Sequence, residues 1–109
     1  MRDTIKNHRD FLTGRYDPVA KSIYFLVRVK DAKIFGDARY GLIVTKKTFK
    51  RATDRNRAKR LLRDWIRFNE KLMKKNFDYI FVARGPILDA DRETGREAMR
   101  KALGYLRNQ

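Results

Sequence analysis

Arg39-Tyr40-Gly41-Leu42-Ile43-Val44-Thr45-Lys46 is followed, after seven further residues, by Asp54-Arg55-Asn56-Arg57-Ala58-Lys59-Arg60-Leu61-Leu62-Arg63-Asp64-Trp65. The first run is apolar and β-branched and reads as a strand over residues 39–46, with Leu42 and Val44 turned inward. The second predicts a helix from about Asp54 to Lys74, with Thr53 as its N-cap. At about 100° per residue, Ala58, Leu61, Leu62, Trp65, Phe68 and Leu72 fall in one stripe roughly 120° wide, the face expected in the core. The helix lies between this strand and a further one, expected at Tyr79–Arg84, before Gly85-Pro86.

Upstream, Ser22 to Lys30 reads as a strand ahead of a turn at Gly36-Asp37. One parity presents Ile23, Phe25, Val27 and Val29 as a core row, and the other presents Tyr24, Leu26, Arg28 and Lys30 to a ligand. A closing helix from about Asp91 to Arg107 puts Met99, Ala102, Leu103 and Leu106 on one face. A short first helix around Asn7 to Leu12 completes the order α-β-β-α-β-α. At 109 residues, without repeats or linkers, residues 1–109 are expected to form a single domain.

Charge narrows the function. The chain carries 28 Lys and Arg against 13 Asp and Glu, a net +15, which calls for a polyanionic partner. Residues 45–63 hold nine of the basic residues against one acidic residue, Asp54, and so more than half the net charge. Arg55, Lys59 and Arg63 recur every fourth position, about 6 Å apart along one helix edge, a spacing suited to following a phosphate backbone. Like charges at that spacing destabilise an isolated helix by some tenths of a kcal/mol, so structure alone does not favour them. The chain has no cysteine and one histidine, His8. Disulfides, thiolate catalysis and Cys- or His-rich metal sites are thereby excluded. The scattered carboxylates offer no convergent pair for protein-based phosphodiester hydrolysis. Without an apolar run long enough for a membrane span, or a signal peptide, the chain is expected to be soluble and cytoplasmic, with no membrane partner.

The run from Arg39 to Lys47 and the run from Arg55 to Asp64 resemble the R-x-G-L-x-V-x-K-K strand and R-N-R-x-K-R-x-x-R-[ED] helix of the protein subunit of bacterial ribonuclease P. Asp10-Phe11, the aromatic strand, Asp78-Tyr79-Ile80-Phe81-Val82-Ala83-Arg84 and the closing helix extend the resemblance over nearly the whole chain. It implies an α/β (α+β) two-layer sandwich, ribosomal protein S5 domain 2-like, with a left-handed β-α-β crossover. That hand runs against the general right-handed rule and is not derivable from pattern. It implies binding of the catalytic RNA through Lys46, Lys47, Arg51, Arg55, Asn56, Arg57, Lys59, Arg60 and Arg63. It also implies contact with the 5′ leader of precursor tRNA through Phe11, Tyr24, Leu26 and Arg28.

Two positions depart from the family pattern. Arg15 stands where a second aromatic is common, and Arg28 where Tyr is common, so leader contact here leans on charge. The resemblance further implies that the RNA, with Mg2+ held mainly by RNA and none by the protein alone, performs the hydrolysis. The chain is then an accessory subunit without catalytic residues. The alternative is a ribosomal or other structural RNA-binding protein with no role in tRNA processing. A DNA-binding regulator is not expected, since no second helix with a short turn precedes Asp54.

Overall fold

The computed structural model describes residues 17–32 and 36–108. Within them the chain runs β1 (Val19–Lys21), β2 (Phe25–Asp31), β3 (Arg39–Ile43), α1 (Ala52–Phe68), β4 (Phe77–Ala83) and α2 (Arg92–Arg107), with 3₁₀ turns at Glu70–Leu72 and Gly85–Asp89. The expected helix at residues 7–12 lies outside the described residues. The strands form one sheet in the order β1-β2-β4-β3. The β1–β2 and β2–β4 pairs are antiparallel, whereas β3 and β4, the strands joined through α1, are parallel.

Register sorts the side chains onto two faces. Phe25, Val27 and Val29 lie opposite Ala83, Phe81 and Tyr79, and Tyr40 is level with Tyr79. All are buried in one cluster with Ala58, Leu62, Trp65 and Ile66 of α1 and Met99, Leu103 and Leu106 of α2. Both helices therefore cover this inner face. On the outer face Leu26, Arg28 and Lys30 lie opposite Val82, Ile80 and Asp78. There Arg39 grips Asp78 through two bonds, Nε to Oδ1 (2.8 Å) and Nη2 to Oδ2 (2.7 Å). Asp78 is 1% exposed, and the bidentate geometry satisfies both of its oxygens where an unpaired carboxylate would be costly.

The expected boundaries shift where side chains capture the backbone. Ser22 Oγ accepts from the Tyr24 and Phe25 N–H groups, and Ser22 N–H donates to the Phe25 carbonyl at 2.8 Å. The resulting turn reverses the chain between β1, a three-residue strand too short for periodicity to reveal, and β2. Ile23 sits at the tip of this turn, 64% exposed, and not in the core row. β3 stops at Ile43 because Thr45 starts a turn: its carbonyl accepts from Phe49 N–H and its hydroxyl from Thr48 N–H. Lys46 and Lys47 thus lie in a turn and not on the strand.

Helix α1 begins two residues earlier than Thr53 would suggest. Its N-cap is Arg51, without a side-chain cap bond. It ends at Phe68 because Asn69 leaves the helical path and its buried Nδ2 donates to the carbonyls of Trp65 and Arg96, both at 3.0 Å. The buried arc of α1 is Ala58, Leu62, Trp65 and Ile66. Phe68, expected in that stripe, falls off its edge and is 62% exposed, with the Arg96 guanidinium 4.1 Å from its ring centroid. Helix α2 starts as expected from Asp91, whose side chain accepts from Thr94 N–H at 2.7 Å. That bond holds the Asp91 carboxyl below its ordinary range.

Candidate nucleic-acid interface

Between Thr45 and Asp64 the fold produces a cationic edge. Lys46, Lys47, Lys50 and Arg51 are exposed on the turn leading into α1, and Asn56, Arg57 and Arg60 are exposed on α1 itself; Lys59 and Arg63 are half-buried. Ion pairs of the described residues include Arg39–Asp78, Arg96–Asp64 and Arg100–Glu97. None involves a cation of this edge, so its charge faces outward without a carboxylate partner among the described residues.

Arg55 differs from its neighbours. Its Nη1 donates to the carbonyls of Phe49 (2.9 Å) and Lys50 (3.0 Å). The guanidinium thus closes the turn onto the first turn of α1 and fixes Lys46, Lys47 and Arg51 relative to the helix. Its position in the basic run was legible in the sequence, but its backbone partners were not.

Asp64 is also committed. Arg96 donates to both carboxylate oxygens, Nε at 3.1 Å and Nη2 at 3.0 Å, which joins α1 to α2. Hydrogen bonding from Arg96, reinforced by its charge and those of Arg92 and Arg67, holds the carboxyl below its ordinary value despite some desolvation. Because the folded value is the lower one, the pair contributes stability above the unfolded carboxylate range and loses it as pH falls through the folded value. The melting-temperature difference between wild type and Asp64→Asn should therefore shrink as pH is lowered from about 6 to about 3. A difference independent of pH would show that the pair contributes nothing to stability.

The second expected surface divides. Leu26 and Arg28 share the outer face of the sheet, both half-buried. Tyr24 does not join them: the Ser22 turn directs its ring to the inner side, edge-on to Trp65 with centroids 6.0 Å apart. Phe11 lies outside the described residues, as do His8 and Arg15. The cationic edge on α1 and the Leu26–Arg28 surface stand on opposite sides of the sheet. Among the described residues no group of three or more His, Cys, Asp or Glu side chains could hold a metal ion, and no helix is long and apolar enough to cross a membrane.

An unpaired cationic edge on a small α/β sandwich defines a class of polyanion-binding protein, and comparison with known proteins gives the family. The family model for Ribonuclease P matches residues 2–107. The ribonuclease P protein component of Pelotomaculum thermopropionicum is 32% identical over 104 residues, covering 93% of this chain and 89% of the relative. That of Thermoanaerobacter sp. (strain X514) is 44% identical over 68 residues, 62% of this chain and 58% of the relative. The solved RNase P protein from Thermotoga maritima superposes with a TM-score of 0.78 at 28% identity, over 95% of this chain and 97% of that one. The chain belongs to the ribonuclease P protein family, and this supports a role in tRNA processing over the ribosomal alternative.

Proposed function

We propose that the chain is the RNA-binding accessory subunit of ribonuclease P, assisting a catalytic RNA that removes the 5′ leader from precursor tRNA. The observation that carries this is the exposed, unpaired cationic edge formed by Lys46, Lys47, Arg51, Asn56, Arg57 and Arg60, with Lys59 and Arg63 beside it. Such an edge lies along an RNA backbone and releases counterions on binding. Arg55 orders the turn that presents the lysines. On the other side of the sheet, Leu26 and Arg28 contact the unpaired leader, where a cation and apolar surface suit a single strand; the family resemblance assigns Phe11, which lies outside the described residues, to the same contact. Tyr24, packed on Trp65, supports this face from behind.

Magnesium belongs to the RNA in this account. Of the two carboxylates on α1, Asp54 stands singly in the first turn among basic residues, and Asp64 is occupied by Arg96 and bordered by arginines. That donor set does not fit a divalent cation, so no step is assigned to a protein-bound metal.

Reconstitution tests the proposal. Protein freed of RNA should not cleave precursor tRNA, but added to the catalytic RNA it should lower the magnesium or salt concentration needed for cleavage, because its charge offsets repulsion between two RNAs. Cleavage by the protein alone, or no effect on the RNA enzyme, would contradict it.

A further inference from the structure

Beside the cationic edge, a hollow of about 360 Å³ opens between α1 and the start of α2, lined by Arg57, Arg60, Leu61, Asp64, Trp65 and Arg92. Three guanidinium-bearing residues from two elements 32 or more positions apart thus converge on one concavity. Its single carboxylate, Asp64, already accepts from Arg96 through both oxygens. Arg57, Arg60 and Arg92 make no ion pair among the described residues; Arg92 acts on Asp64 only through space.

Two further features set the hollow apart. Arg92 is the first residue of α2, where a cation meets the positive end of the helix dipole and is locally disfavoured. Convergence of three like charges adds to that cost, and an anion between them removes it. Trp65 forms part of the wall, its buried indole packed against Gly95 of α2. The much larger groove between β1 and α2 sets Glu93 and Glu97 against Lys21 and Lys101, a mixed lining that selects no polyanion.

We infer that this hollow seats a phosphodiester group of the bound RNA, with Arg92 of α2 as a third arm beside Arg57 and Arg60. The inference rests on the RNA-binding reading above and extends the interface beyond α1. It makes the spacing of the two helices, set by the Asp64–Arg96 pair, part of RNA recognition. The guanidinium fork matches a phosphate's paired oxygens better than an ammonium would.

The test measures affinity of the intact protein for the catalytic RNA across a salt series, in wild type, Arg92→Gln and Arg92→Lys, with thermal melts of each. Arg92 is exposed and its charge is disfavoured at the start of α2, so Arg92→Lys should melt with wild type and Arg92→Gln at or slightly above it. Arg92→Gln should flatten the log–log salt dependence by about 0.7 to 0.9, and Arg92→Lys should restore it. In the free protein, Trp65, the chain's single tryptophan, reports directly. Inorganic pyrophosphate should change its emission saturably relative to chloride at equal ionic strength, and Arg92→Gln should weaken that response several-fold. An unchanged salt slope, or pyrophosphate titrations identical in wild type and Arg92→Gln, overturns the site. Failure of the wild type to bind the RNA would instead overturn the reading on which it rests.

Discussion

Gly95→Ala is expected to destabilise the protein by about 3 kcal/mol, a fall in Tm of roughly 10–20 °C. A Cβ at Gly95 would stand 1.9 Å from Trp65 Cε2 and 2.0 Å from Cζ2. The ring cannot swing aside cheaply: it is fully buried, with Tyr24 edge-on at 6.0 Å and Phe25 at 6.3 Å. Either α2 lifts from α1 or the indole leaves its rotamer. Gly104, also in α2, supplies the control, since a Cβ there meets nothing within 4 Å. Gly104→Ala should be neutral or stabilising by about 0.5–1 kcal/mol through helix propensity and a less flexible unfolded chain. If both substitutions gave the same melting curve, the close contact between the helices would be wrong.

The second large effect concerns RNA. The triple variant Arg57→Gln, Arg60→Gln, Arg63→Gln should flatten the salt dependence of catalytic-RNA binding by roughly two to three log–log units, at about 0.7–0.9 per phosphate contact. All three lie off the buried arc of α1, and Gln is a good helix former, so far-UV circular dichroism and Tm should stay near wild type. Unchanged affinity with an intact fold would mean that the charge is merely solvated.

Much of this arrangement was legible in the residues because it rests on periodicity and charge. Phe25, Val27 and Val29 alternate and are buried, and Ala58, Leu62 and Trp65 recur at helical spacing and face the sheet. The errors fall where a polar side chain overrides pattern. Ser22 exposes Ile23 and turns Tyr24 inward, Thr45 ends β3, and Asn69 ends α1. Phe68 shows the limit of a helical stripe, since at the edge of the arc it meets the Arg96 guanidinium of the other helix and not the core. Contacts between residues distant in sequence, such as Asp64–Arg96 or Gly95 against Trp65, leave no local signature. The basic run was visible as charge, but that Arg55 bonds backbone while Arg57 and Arg60 stay open was set by the turn at Thr45–Lys50.

Site-specific photo-crosslinking in the assembled holoenzyme tests most directly whether the two proposed RNA surfaces, on opposite sides of the sheet, take different RNAs. A crosslinker replacing Arg60 should attach to the catalytic RNA, and one replacing Arg28 should attach to a labelled 5′ leader of precursor tRNA. Crosslinks from position 28 to the catalytic RNA alone, or from position 60 to the leader, would contradict the account.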